Sequence, residues 1–285
     1  MPLRVYSNLY SLNAQRNLGT NNANLGVSLE RLSSGLRVNR GADDAAGLAI
    51  SEKLRSDIRA IGQAVRNSND GISIINTAEG ALSQQASMLT RMRELAAQAS
   101  TGSVGSTERQ TIQREFAALR DEIDRITTVT EFNGQKLVDG SLSSSISATN
   151  QIVIQIGFKS TSNDRINLNT TIDLTSMDST GLAIQNLSVT AAAQALTALS
   201  SIGSAISKVT DARGRLGAVQ NRFTYTIANL QTSSENLQAA ESQIREADYA
   251  SEISTFTRNQ ILVQASTAIL AQANLVPQTV LQLLG

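Results

Sequence analysis

The chain has 285 residues, 24 basic and 24 acidic side chains, and no Cys, His or Trp. Those absences exclude a Cys/His zinc site, a Cys nucleophile, a Ser/His/Asp triad and any disulfide. Balanced charge offers a polyanion no basic face, and aromatics at 3% leave a thin core of Leu, Ile, Val and Ala, which suits helix packed on helix.

The opening residues, Met1-Pro2-Leu3-Arg4-Val5-Tyr6-Ser7-Asn8, lack a basic start followed by a continuous apolar run, so no secretory signal is read there. No stretch of about 18 apolar residues occurs, and no membrane span is expected. A cytoplasmic protein and a substrate of a signal-independent export route both fit. Pro2 and Pro277 are the only prolines, which leaves everything between them free of the strongest helix breaker.

In the first segment Leu18, Leu25 and Leu32 stand seven apart, as do Leu29 and Leu36, until Gly35 and Gly41 interrupt. Asp43 or Asp44 would cap a second helix over 44–99. Its seven-residue row is Leu54, Ile61, Ile75, Leu82 and Leu89, with Ser68 in the gap and Ile58, Val65 and Ile72 as a second row. Such a helix would be about 80 Å long. A third, over 107–128, carries Ile112, Phe116, Leu119, Ile123 and Ile126. Residues 129–189 are rich in Ser, Thr, Asn, Asp and Gly. Ile152, Ile154 and Ile156 alternate with Val153, Gln155 and Gly157 as in a strand, and Asn133-Gly134 signals a hairpin turn.

The longest pattern follows. Ile202, Val209, Leu216, Phe223, Leu230, Leu237 and Ile244 keep an unbroken spacing of seven, flanked by Ala205, Ala212, Val219, Thr226, Ser233 and Ala240. Sustained heptads predict left-handed supercoiled packing. Residues 259–285 contain no charged residue, yet Gln260, Gln264, Gln272, Asn274, Gln278 and Gln282 are interspersed. That is too polar for a membrane and too apolar for a solvated helix. The first segment is similarly poor in charge. Surfaces of this kind mark contacts with other subunits or partners. The fold class predicted is mainly α: long antiparallel heptad helices in a rod-like bundle, paired terminal helices and a small central β-hairpin region.

At these positions the sequence resembles the bacterial flagellins. The matching runs are Leu29-Glu30-Arg31-Leu32-Ser33-Ser34-Gly35-Leu36-Arg37-Val38-Asn39, Asp43-Asp44-Ala45-Ala46-Gly47-Leu48-Ala49-Ile50, Arg66-Asn67-Ser68-Asn69-Asp70-Gly71-Ile72-Ser73, Thr77-Ala78-Glu79-Gly80-Ala81-Leu82, Arg91-Met92-Arg93-Glu94-Leu95-Ala96, Ala212-Arg213-Gly214-Arg215-Leu216-Gly217-Ala218-Val219-Gln220-Asn221-Arg222 and Glu241-Ser242-Gln243-Ile244-Arg245-Glu246-Ala247-Asp248. The resemblance covers about 1–138 and 190–285. It implies a terminal helical domain of 1–43 with 247–285 lining the inner tube of a filament, a rod-like domain of 44–128 with 190–246, and a short outward β-containing insert at 129–189. It further implies a homo-polymer on the extracellular flagellum, exported unfolded through the flagellar type III apparatus, with an export chaperone, cap and hook-junction proteins as partners. No cofactor, metal or catalysis is implied.

Two sets of site residues follow. Polymerisation is assigned to Leu18, Leu25, Leu32, Ile261, Leu262, Ile269, Leu270, Leu281 and Leu284. By resemblance, Arg91, Leu95, Gln98 and Glu115 match a surface recognised by Toll-like receptor 5, with Leu119 replacing a basic residue at the next turn. The plainer readings stand beside these. The heptads also suit an intramolecular bundle. Asp43 and Asp44 read as helix caps rather than a catalytic acid pair. The charged positions Arg109, Arg114, Glu115, Arg120, Asp121, Glu122, Asp124 and Arg125 read as a solvated face. The Ser/Thr-rich stretches 141–148 and 159–162 suit O-linked sugars or a bare polar loop, and the sequons at Asn169 and Asn186 carry little weight. A hook–filament junction protein is the near alternative. A cytoplasmic coiled-coil signalling rod is the distant one, which would leave the uncharged tail unexplained.

Overall fold

The structure, a computed structural model, describes the backbone of residues 8–284 and the side chains of residues 8–275. In chain order come α1 (Leu9–Ser34), α2 (Ala45–Ser100), α3 (Ser106–Val129), the strands β1 (Glu131–Phe132), β2 (Gln135–Lys136), β3 (Val153–Gln155) and β4 (Arg165–Asn167), then α4 (Leu168–Ile172), α5 (Ala192–Arg245) and α6 (Tyr249–Leu284). The predicted fold class is the one observed: mainly α, with two small antiparallel strand pairs. The chain divides into two compact units, Met1–Ser56 with Asn236–Gly285, and Asp57–Glu235. The line falls within α2 and α5, whereas the sequence reading drew it at 43/44 and 246/247.

The unit Asp57–Glu235 has an apolar core. Ile61, Ile75, Leu82 and Leu89 of the α2 row are buried, as are Ile112, Phe116 and Ile123 of α3. From α5 come Ile202, Val209, Leu216, Phe223 and Leu230, with Ala205 and Ala212 beside them. Each large side chain so buried contributes about 1.5–3 kcal/mol. Gly71 is a close-approach position: a Cβ there would lie 2.7 Å from Ile154 Cδ1 and 2.8 Å from Phe223 Cζ.

The insert, read from the sequence as a surface hairpin region, belongs to this core. Leu137, Val138, Leu142, Ile154, Ile166, Leu168, Ile172, Leu174, Met177, Leu182, Ile184 and Val189 join the same buried cluster. Its two hairpins follow the predicted signals. Asn133 and Gly134 both take positive φ, 50° and 78°, as the turn between β1 and β2 requires. Ile154 pairs with Ile166 across β3 and β4. Buried Gln85 ties three segments together by donating to Thr127 Oγ1 (2.8 Å) and to the Met177 carbonyl (3.2 Å).

In the other unit α1 ends at Gly35, which is left-handed (φ 72°) and whose N–H reaches the Arg31 carbonyl at 2.8 Å. The chain then pairs antiparallel with the end of α5: the Arg37 N–H donates to the Arg245 carbonyl (2.7 Å), and the Ala247 N–H to the Gly35 carbonyl (3.0 Å). Of the two aspartates, Asp44 caps α2 and Asp43 braces the turn before it. Asp43 Oδ2 accepts the N–H groups of Asn39 (3.1 Å) and Arg40 (2.9 Å), and Asp44 Oδ1 accepts that of Gly47 (2.8 Å) at the start of α2.

Candidate assembly interface

Helices α1 and α6 run antiparallel with Cα atoms within 8 Å, a closeness that no other helix pair among the described residues sustains. Small residues allow it. The buried positions of this pair are Ala14 and Ser28 on α1, and Asn259, Ser266 and Ala273 on α6. Hydrogen bonds cross the seam. Asn8 Nδ2 donates to the Ala273 carbonyl (2.8 Å), Ser11 Oγ to Asn274 Oδ1 (2.7 Å), Asn21 Nδ2 to Ser266 Oγ (2.9 Å) and Asn259 Nδ2 to Ser28 Oγ (3.3 Å). Arg31 Nη1 lies 3.8 Å from Glu252 Oε2.

Apolar side chains lie on the outside instead. Ile261 and Ile269 are each 59% exposed, and Leu262, Leu275, Tyr249 and Ile253 are also open. On α1 the exposed set is Leu9, Tyr10, Leu12, Val27 and Leu29. Small and polar residues at the most buried positions, with large apolar residues left half-buried or open, depart from the usual order of a soluble helix pair, and a patch of this kind is characteristic of a surface that another protein covers.

The predicted polymerisation residues therefore separate. Ile261, Leu262 and Ile269 lie on the open face, while Leu18, Leu25, Leu32 and Leu270 are half-buried. The side chains of Leu281 and Leu284 lie outside the described residues. Leu9, Leu12 and Leu29 are exposed apolar residues that the sequence reading did not assign to this surface. The signal that could have found them is the seven-spaced row Ala14, Asn21, Ser28, which marks the inner side of α1 and hence its outer side.

The second predicted set is also divided. Arg91 Nη2 meets Glu115 Oε1 at 2.9 Å, and Arg91 Nη1 meets Glu94 Oε2 at 3.0 Å, on open surface. The hydrogen bond to Glu94, and then that to Glu115, hold the Arg91 guanidinium above its ordinary pKa. Gln98 is exposed. Leu95 is not part of that surface: it is only 2% exposed, because it belongs to the stripe Met92, Leu95, Ala96, Ala99 that α2 turns into the core.

The charged positions expected to form a solvated face are partly in use. Arg109 Nε donates to the Ala99 carbonyl (2.9 Å), and Arg120 Nη1 to the Gln185 carbonyl (3.1 Å). Asp124 accepts the Ser179 N–H (2.6 Å) and Ser179 Oγ–H (2.8 Å). Asn169 of the first sequon is buried, with its amide donating to the carbonyls of Ser141 and Ser143. No helix among the described residues is long and apolar enough to cross a membrane.

Both arms of the chain match a known protein family. Residues 5–143 match the bacterial flagellin N-terminal helical region, and residues 199–284 match the C-terminal helical region. Flagellin of Bacillus subtilis is 46% identical, over 99% of this chain and all of that protein. Flagellin of Halalkalibacterium halodurans is 48% identical, over 98% of this chain and 99% of that protein. A flagellar filament 30.7 kDa core protein of Treponema maltophilum is 41% identical, over 99% of both.

Proposed function

We propose, given that this chain belongs to the bacterial flagellin family, that the open apolar faces of α1 and α6 are the surfaces through which it polymerises. The chain is a structural subunit of the bacterial flagellar filament, the polymer used for motility. The observation that carries the polymerisation surface is the inverted helix pair, with Asn and Ser at its seam and Ile261, Leu262 and Ile269 outside. Burying such side chains against neighbouring subunits contributes about 25 cal/mol per Å² of apolar surface. Head-to-tail contacts between identical subunits do not close, so the product grows as a helix. The polymer is extracellular. Export through the flagellar type III apparatus, a chaperone that shields the charge-free end, and cap and hook-junction partners complete the reading.

Electron microscopy of the purified chain under polymerising conditions, beside a form lacking 250–285, tests it. Long filaments from the full chain and none from the truncated form are expected. Filaments from both would remove the assembly role of α6.

A second reading concerns Arg91, Glu94, Gln98 and Glu115, whose ion-paired cluster is open to solvent and suits recognition by Toll-like receptor 5. Its test is a receptor reporter-cell assay comparing the chain with Arg91→Ala and Glu115→Ala forms. Signalling that is unchanged by both substitutions, or absent throughout, would reject it.

A further inference from the structure

Along α1 the inner row is Ala14, Asn21, Ser28, and along α6 it is Glu252, Asn259, Ser266, Ala273, both stepping by seven. Beside them run two half-buried apolar rows with the same step: Leu18, Leu25, Leu32 and Phe256, Val263, Leu270. A slip of seven residues either way would still bring two of the three apolar side chains of each row onto an equivalent partner, so the apolar rows discriminate weakly between registers. The polar rows do not. In the observed register Asn21 meets Ser266, Ser28 meets Asn259 and Arg31 faces Glu252.

Slipped one way, Asn21 would lie against Ala273, Ser28 against Ser266, and Glu252 would lose Arg31. Slipped the other way, Asn21 would face Asn259 and Ser28 would face Glu252. The first shift leaves the buried Asn259 amide opposite Gly35, the second leaves the buried Ser266 hydroxyl opposite Ala14, and both separate Arg31 from Glu252, a carboxylate only 13% exposed in this structure. Unmade hydrogen bonds and unpaired charges at a tight seam are penalised far more than made ones are rewarded. A polar residue at a core position of a helix pair is known to fix register while lowering stability.

We propose that the Asn21–Ser266 and Ser28–Asn259 rungs, closed by Arg31–Glu252, are a register lock that permits α1 and α6 to pair in one alignment only. The lock is needed because the open faces of both helices are apolar and would tolerate shifted pairings. Its cost is a weak seam, which leaves the pair dependent on what covers its outer side.

The natural chain has no Cys, so engineered pairs report the register. Ser11→Cys with Asn274→Cys links the observed alignment, and Ser11→Cys with Thr267→Cys links the slipped one. Each pair is placed in the otherwise natural full-length chain and in a chain carrying Asn21→Ala, Ser28→Ala, Asn259→Ala and Ser266→Ala. All four replacements are small, so the close approach is kept. After oxidation, the ratio of slipped to observed link is read by peptide mapping. The natural background gives the observed link almost alone, and the fourfold variant raises the ratio by about tenfold or more. An unchanged ratio overturns the proposal. Where the fourfold variant loses helix by circular dichroism, the exchanged rung Asn21→Ser with Ser266→Asn decides. It restores the observed link if the rung sets register, and failure to restore it overturns the proposal. The ratio is read in soluble chain and in polymer alike, so failure of the unsubstituted chain to polymerise counts against the assembly reading and not against the lock.

Discussion

Two regions of this molecule use the same seven-residue spacing for opposite ends. In the unit Asp57–Glu235 the row carries Ile, Leu, Val and Phe, and those side chains are buried within the subunit. In the α1–α6 pair the most buried row carries Ala, Asn and Ser, large apolar side chains beside it are only half-buried, and others such as Ile261 and Ile269 lie outside. The first arrangement stores its stabilisation in the folded chain. The second, on the proposed reading, holds it in reserve for contacts with other chains. A heptad by itself therefore identifies helix packing, and the residue types on its row identify who the partner is.

The largest expected effect breaks the first region alone. Phe223→Ala removes a fully buried ring and should cost about 3–5 kcal/mol, read as a fall in the denaturation midpoint of the soluble chain. The converse test uses Ile261→Ser, Leu262→Ser and Ile269→Ser together. Soluble-chain stability should change by no more than about 0.5 kcal/mol. The critical concentration for polymerisation, measured by sedimentation, should rise about tenfold or more. If both quantities moved together, the contrast between the regions would fail.

Smaller effects sharpen the picture. Asp44→Ala removes the cap of α2 and should cost about 1 kcal/mol, measured by thermal unfolding. The pH response should be smaller still. Asp43 is held below its ordinary value of 3.8 by the N–H groups of Arg40 and Asn39, and Asp173 by the backbone N–H and then the side-chain hydroxyl of Ser144. A carboxyl lowered in the fold contributes stability above its ordinary value and loses it as pH falls through the lowered one. Thermal midpoints should thus decline below about pH 4. With no His in the chain, they should stay flat from about pH 5 to 8.

The helices were legible from the sequence because periodicity, Gly35 and Asp44 mark their rows and ends. The α5 row was read as seven equal positions, yet burial is complete only as far as Leu230, and Leu237 and Ile244 are half-buried. Spacing records a face, not what covers it. The insert was the harder case. Leu142, Leu174, Met177 and Leu182 are isolated among Ser, Thr and Asp without any period, so only tertiary contacts show that they enter the core. For the interface, counting Leu residues selected Leu18, Leu25 and Leu32, whereas the polar residues between them mark the inner side. Leu95 shows the same limit from the other direction: it is one turn from exposed Arg91 and still faces inward.

The seam between α1 and α6 joins positions as distant in the chain as Asn8 and Ala273. A polypeptide that emerges in sequence order, from a ribosome or a narrow channel, delivers one of these helices almost a full chain length before its mate. The polar rungs thus make pairing a completion check. A truncated or half-delivered chain has nothing for Asn21 and Ser28 to bond with, and its orphaned terminal helix remains unzipped until the last residues arrive.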